Sequence, residues 1–149
     1  MGSVIPGRVM LQAIADTARA AFGARAVSIL VADADAGELV FAAVAGEGAD
    51  TMLGRRISAA RGIAGWVLET GQPLVVEDVT KDPRFAAGFA RSTGYVPKGI
   101  MAAPIRGDER PLGVMNVLDR PHRSTLNQIE VELLERFCHL VALALDGDG

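Results

Sequence analysis

The chain has 149 residues, half of them hydrophobic, and a formal net charge of -3. That suits one domain with a sizeable core and argues against nucleic-acid binding, which needs a basic surface. The single cysteine, Cys138, excludes an internal disulfide and a cysteine-based zinc site, and points to a reducing cytoplasm.

No apolar run approaches the ~20 residues of a membrane span, so no membrane association is expected. Met1-Gly2-Ser3 carries no charged leader before an apolar stretch, so a signal peptide is not expected there. The expectation is a single domain over 1–149, with its core at about 8–145 and frayed termini.

In chain order, Leu11, Ile14, Ala15, Ala18 and Phe22 recur at helical spacing, which predicts a helix over 9–22 that Gly23 stops. AVSILVA (26–32) and ELVFAAVA (38–45) are strands, and DADAG between them is turn chemistry, so they form a hairpin. A loop over 46–56 follows. GIAGWVLET (62–70) reads as a short helix ending at Gly71, with Gly65 inside it for close packing on the sheet. PLVVE (73–77) is a short strand.

Asp82-Pro83 is a helix start, Asp as N-cap and Pro at the first helical position, and Gly94 ends that helix. Phe85 and Phe89 then share one face. GIMAAPIR (99–106) and LGVMNVL (112–118) form a second hairpin around GDERP. The last helix opens at Ser124-Thr125, where Thr125 and Gln128 fit a capping box. Ile129, Leu133, Leu134, Phe137, Leu140, Val141 and Ala144 give it a broad apolar stripe.

Two long terminal helices would pack together on one face of the sheet. The middle segment, 46–98, is left to cover the other. Phe85, Phe89 and Tyr95 lie in that cover and are the candidate walls of a pocket; a filled satellite core would look the same in sequence. Asn116 is a polar residue inside an apolar strand, on the same side as Val114 and Leu118. Buried without a partner it would cost about 1–3 kcal/mol, so it bonds to backbone, water or a ligand.

Three linked stretches, GIAGWVLETGQPLVVEDVTKDPRF, PKGIMAAPIRGDERPLGVMNVLDR and LNQIEVELLERFCHLVALAL, occur in the order found in GAF domains, and the chain resembles that family nearly from end to end. The resemblance implies an α+β, PAS-like fold. Its central six-stranded antiparallel sheet carries the N- and C-terminal helices on one face; short helices and loops cover a ligand cavity on the other. It also implies a non-catalytic sensory role in signal transduction, with Ile100 and Ala102 on the pocket side beside Phe85, Phe89, Tyr95 and Asn116.

Subfamily by subfamily, the cyclic-nucleotide class has an Asn-Lys pair, a Phe and an Asp-Glu where this chain has Asp119-Arg120, Leu126 and Glu130. A covalent bilin needs a cysteine near residues 83–93, where none lies. Haem needs an axial histidine, and neither His122 nor His139 is placed to face the cavity. Free methionine sulfoxide reductase has this fold, but its chemistry needs an attacking and a resolving thiol. Cys138 alone reads as a core residue.

No metal site and no resident cofactor are expected. The partners expected are a small-molecule ligand and an output domain outside this chain. A homodimer is expected through Val131, Leu134 and Val141, if Leu133, Phe137 and Leu140 face the sheet. The alternative is a GAF domain with a filled cavity that acts only as a dimerisation or interaction module.

Overall fold

In the computed structural model, which describes residues 7–121 and 127–146, the chain starts with helix α1 (Arg8–Phe22). A hairpin of β1 (Ala26–Asp33) and β2 (Glu38–Gly46) follows. The middle segment holds α2 (Ala49–Met52), β3 (Arg56–Ser58), α3 (Gly62–Thr70), β4 (Leu74–Val76), a 3-10 turn (Val79–Lys81) and α4 (Ala87–Thr93). The second hairpin is β5 (Ile100–Arg106) and β6 (Pro111–Leu118), and α5 (Asn127–Asp146) closes the chain.

The strands form one antiparallel six-stranded sheet in the order β3-β2-β1-β6-β5-β4. The two hairpins therefore meet at the β1–β6 seam, where Ser28 pairs with Asn116 and Leu30 with Val114. Residues on a strand alternate between faces, so the sheet separates two apolar cores. One face takes Ile29, Met101, Ile105 and Met115 and packs on Leu11, Ala15 and Ala18 of α1 and Leu134, Cys138 and Val141 of α5. The other takes Leu30, Leu39, Phe41, Val114 and Leu118 and meets Ile63, Ala64 and Val67 of α3. Each fully buried leucine contributes about 1.5–3 kcal/mol through its removal from water.

The layering, the two hairpins and the glycine stops at Gly23, Gly71 and Gly94 agree with the sequence reading. Four details differ.

The residues show only five strands on their own; the sixth, β3, begins at Arg56, the last residue of the expected 46–56 loop, and runs on to Ser58, where the sequence predicts no element. It is three residues long and pairs Ile57 with Leu39 at the sheet edge, too short to leave a period-two pattern.

Asp82 does not cap a helix. Its carboxylate is taken by the backbone N–H and guanidinium of Arg84, at 2.9 Å and 2.6 Å, which makes a tight turn. Helix α4 starts only at Ala87. Phe85 thus lies ahead of the helix that carries Phe89.

Gly65 is required by the chain just before α3: a Cβ there would stand 2.9 Å from the carbonyl oxygen of Ala59. The constraint comes from this loop and not from the sheet.

Helix α5 is rotated from the expected setting. Leu134 and Val141 are fully buried and Val131 packs against the same core, while Leu133 and Leu140 are exposed. The buried stripe includes the small Cys138 and Ala142, which let the helix sit close on the bulky Met101 and Met115. Of the three residues expected to face the sheet, Phe137 does pack against this core, beside Phe22, and Leu133 and Leu140 do not. The proposed capping box at Thr125 and the candidate ligand His122 lie outside the described residues.

Candidate functional site

A cavity of about 380 Å³ lies between the sheet and the middle segment. Its floor is Ser28 and Leu30 of β1, Phe41 of β2, Ile100 of β5, and Asn116 and Leu118 of β6. The edge strand β3 adds Ile57, and the roof is Met52, Ile63, Phe85, Phe89 and Tyr95. The volume is within the range of small-molecule pockets, which are mostly apolar with a few placed polar groups.

On the floor those polar groups are Ser28 and Asn116; Ser58, Arg61 and Thr93 also line the cavity. Ser28 and Asn116 face each other across the β1–β6 seam. Ser28 is 1% exposed, and neither its Oγ nor Asn116 Oδ1 has a hydrogen-bond partner among the described residues. Orphan polar atoms in a core are costly, about 1–3 kcal/mol each, unless something enters to pair with them.

The roof is tied down at several points. Phe89 stacks on Phe41, with centroids 5.7 Å apart, and carries the Arg55 guanidinium on its ring at 4.8 Å. Arg55 also donates to Ser92 Oγ at 3.2 Å. Thr51 Oγ1 donates to the Thr93 carbonyl, which joins α2 to α4. Arg84 covers the ring of Trp66 at 4.6 Å. Trp66 thus packs at the edge of the α3 core rather than in the cavity wall.

Tyr95 closes one end. Its hydroxyl donates to Asp119 Oδ2 at 2.5 Å. Burial, then this bond, push the phenol well above its ordinary value. The other oxygen of Asp119 accepts the backbone N–H groups of Lys98 and Gly99 at 2.8 and 2.9 Å. Asp119 holds this position with φ at 54°, the only non-glycine positive φ among the described residues. The next residue, Arg120, reaches α5: it donates to Asn127 Oδ1 at 2.7 Å and lies 3.2 Å from the Glu130 carboxylate, both side chains largely buried. The Arg120–Glu130 contact is an ion pair without hydrogen-bond geometry, since Glu130 Oε1 has no hydrogen-bond partner among the described residues.

Of the residues singled out in the sequence, Phe85, Phe89, Tyr95, Ile100 and Asn116 line the cavity. Ala102 shares their face of the sheet and is fully buried, yet it packs beside Asn116 and Leu74 outside the lining. Ala103 points into the opposite core. Thr93 lines the cavity, but its hydroxyl is engaged by the Ala90 carbonyl at 2.7 Å. Ser28 was missed: a serine in AVSILVA gives no local signal, and only strand pairing brings it opposite Asn116. The dimer candidates Leu134 and Val141 are core residues and Val131 is partly buried, so these three present no outer face.

Elsewhere the titratable groups are spoken for or exposed. A cleft at Glu77, Lys81, Lys98 and Asp119 is the outer side of the Asp119 loop anchor. Arg56 pairs with Asp33 and Glu38 at 2.9 and 3.1 Å. Cys138 is buried against the Ala103 carbonyl, and burial pushes its thiol up to about 12. His139 is on the exposed side of α5. Among the described residues no cluster of histidine, cysteine and carboxylates can hold a metal ion, and no helix is long and apolar enough to cross a membrane.

The GAF domain family matches residues 7–145 of this chain. The alpha' subunit of the cone cGMP-specific 3',5'-cyclic phosphodiesterase of Mus musculus is 30% identical over 84 residues, 56% of this chain and 10% of that protein. The chain thus spans about a tenth of the length of that curated relative. Among solved structures, free methionine-R-sulfoxide reductase from Neisseria meningitidis superposes with a TM-score of 0.77 at 21% identity, over 98% of this chain and 81% of that one. The GAF domain of a phosphoenolpyruvate-protein phosphotransferase from Coxiella burnetii gives 0.77 at 21% identity, over 95% and 86%. At these identities the two structures support the fold alone.

Proposed function

The chain belongs to the GAF domain family, a sensory and regulatory domain of signalling proteins, and from that premise we propose that it is a non-catalytic ligand sensor. A small molecule binds in the cavity between the sheet and the middle segment, and helix α5 passes the change on. The observation that carries this reading is the cavity with two polar atoms on its floor, Ser28 Oγ and Asn116 Oδ1, that no group among the described residues pairs with. A cavity closed by repacking alone would have no use for them.

The relay runs through adjacent residues. Asp119 holds the cavity wall at Tyr95, and Arg120 holds the first turn of α5. A ligand that displaces Tyr95 shifts the seating of α5. It does so only to the extent that it binds the two arrangements with different affinity.

The non-catalytic part rests on Cys138. A buried thiol held protonated is no nucleophile, and no second cysteine is present to resolve an intermediate. Reduction of free methionine sulfoxide is therefore not expected. Nor do the phosphodiesterase relatives bring cGMP with them: among the described residues Arg61, at the rim, is the one charged side chain in the cavity lining.

The output side is a helical dimer. Ile129, Leu133, Leu140 and Leu143 are 63%, 37%, 48% and 53% exposed and follow one another at coiled-coil spacing. Val9 and Met10 of α1 are exposed too. Within a longer signalling protein in the cytoplasm, this single domain would pass its state to an output domain through that seam.

Native mass spectrometry of gently purified protein, then denaturation of the same sample, tests both halves. A dimer with an added mass that denaturation releases supports the sensor. A bare dimer favours a pure interaction module, and a bare monomer removes the helical dimer.

A further inference from the structure

We infer that the cavity takes a largely apolar molecule that buries a neutral amide edge, a lactam or primary carboxamide, against Ser28 and Asn116; this rests on the ligand-sensor reading above. The two floor residues face each other on neighbouring strands of the β1–β6 seam, which puts their Cβ atoms within about 5.5 Å. That is the span of one small polar group.

The chemistry of the floor defines the group. A carboxamide side chain offers one acceptor and two donors, and whichever way its ends are assigned it presents one of each. A serine hydroxyl donates once and accepts twice. Such a floor is complementary to a ligand edge with an N–H beside a C=O. The floor itself carries no formal charge, and a bare ion taken down to it would lose its hydration away from Arg61, the one charged side chain in the described lining, which stands at the rim. Asp, Glu and Lys are absent from the described lining, so a cationic ligand finds no partner. Apart from Ser58, Arg61 and Thr93, the rest of the lining is Leu30, Phe41, Ile63, Phe85 and similar side chains, which fits an apolar body.

The test uses 2-quinolone, a flat lactam, beside N-methyl-2-quinolone, which keeps the shape and loses the donor, and quinoline-2-carboxylate, which replaces the lactam by an anion. The reporter is the side-chain amide of Asn116 in ¹⁵N-labelled protein, followed by NMR; Asn127 is the only other asparagine. 2-Quinolone is expected to move the Asn116 amide signals saturably, and N-methylation is expected to weaken binding at least about tenfold. The carboxylate is expected to bind more weakly still. Asn116→Leu and Ser28→Ala should each narrow the gap between lactam and N-methyl lactam.

Equal binding of all three probes at Phe89 and Tyr95, indifferent to both substitutions, overturns the amide edge and leaves the pocket standing. Preference for the carboxylate overturns the neutral class in the same way. No perturbation of any lining residue by any probe overturns the amide edge and the ligand-sensor reading together. The comparison of probes on unaltered protein needs no variant, so it stands even where a substitution fails to fold.

Discussion

Tyr95 Oη and Asp119 Oδ2 are 2.5 Å apart, and this one bond fastens the roof of the cavity to the end of the strand that leads into α5. Asp119 is left with two backbone N–H donors when the phenol is removed. Tyr95→Phe is therefore expected to cost about 1.5–3 kcal/mol, the usual worth of a hydrogen bond to a charged group. Urea denaturation measures it. A loss well under about 0.5 kcal/mol would mean that water replaces the phenol.

The same phenol and the buried thiol make stability fall in alkali. The folded protein holds Cys138 near 12 against an ordinary 9.0, and holds Tyr95 above its ordinary 10.0. Below about pH 9 both are protonated whether the chain is folded or not, and their contribution is complete. As pH rises the unfolded chain ionises first, so stability is lost, first through the thiol and then through the phenol. Urea midpoints between about pH 8 and pH 11 should decline, the decline of Cys138→Ala beginning later and that of Tyr95→Phe being shallower. A midpoint that rises with pH in this window would contradict both.

The setting of α5 separates two leucines six residues apart. Leu134→Ala opens a hole in a filled core and is expected to cost about 2–5 kcal/mol. Leu140→Ser touches exposed surface, and in the isolated subunit it should change stability by no more than about 0.5 kcal/mol. Its effect belongs in the sedimentation profile, as a shift from dimer to monomer. The reverse pattern would put α5 back in the orientation that its bulkiest residues suggest.

Gly113→Ala probes the β1–β6 seam. A Cβ there would stand 2.0 Å from the carbonyl oxygen of Leu30, inside the β1–β6 ladder. Backbone cannot yield as a side-chain tip does, so a loss of about 3 kcal/mol or more is expected. A variant melting with the parent would show that β6 slides past this contact.

Arg120→Met leaves the Glu130 carboxylate and Asn127 without their partner at the start of α5. Breaking one side of a largely buried pair is expected to cost about 3–5 kcal/mol. Hydrogen exchange should localise the loss to the first turns of α5, with β1 and β2 protected as before. Uniform loss of protection would deny Arg120 its local role.

How much of this was legible follows from what each residue announces by itself. Gly23, Gly71 and Gly94 each follow the last residue of a helix and take the left-handed conformation that ends one, and the apolar period of α1 admits one face only, so both could be read directly. Asn116 drew attention because a polar residue in an apolar strand needs a reason. Ser28 has the same role yet stayed hidden, because small serines are ordinary in strands and its partner is far away in sequence. Helix α5 misled because it is apolar on two sides, and choosing between them needs the shape of Met101 and Met115 opposite. Asp82 misled because Arg84 competes for its carboxylate, and the three residues of β3 carry too little pattern to be seen at all.

The strand order also governs how the protein is made. β1 and β2 can pair early, but β1 waits for β6, whose partner residues lie about ninety positions further on. During synthesis the first hairpin therefore emerges with one edge of β1 open and Ile29, Leu30 and Val31 uncovered. Such an edge invites pairing with another nascent chain. The substitutions that weaken the seam should show first as loss of yield during expression, before any loss is measured in the purified fold.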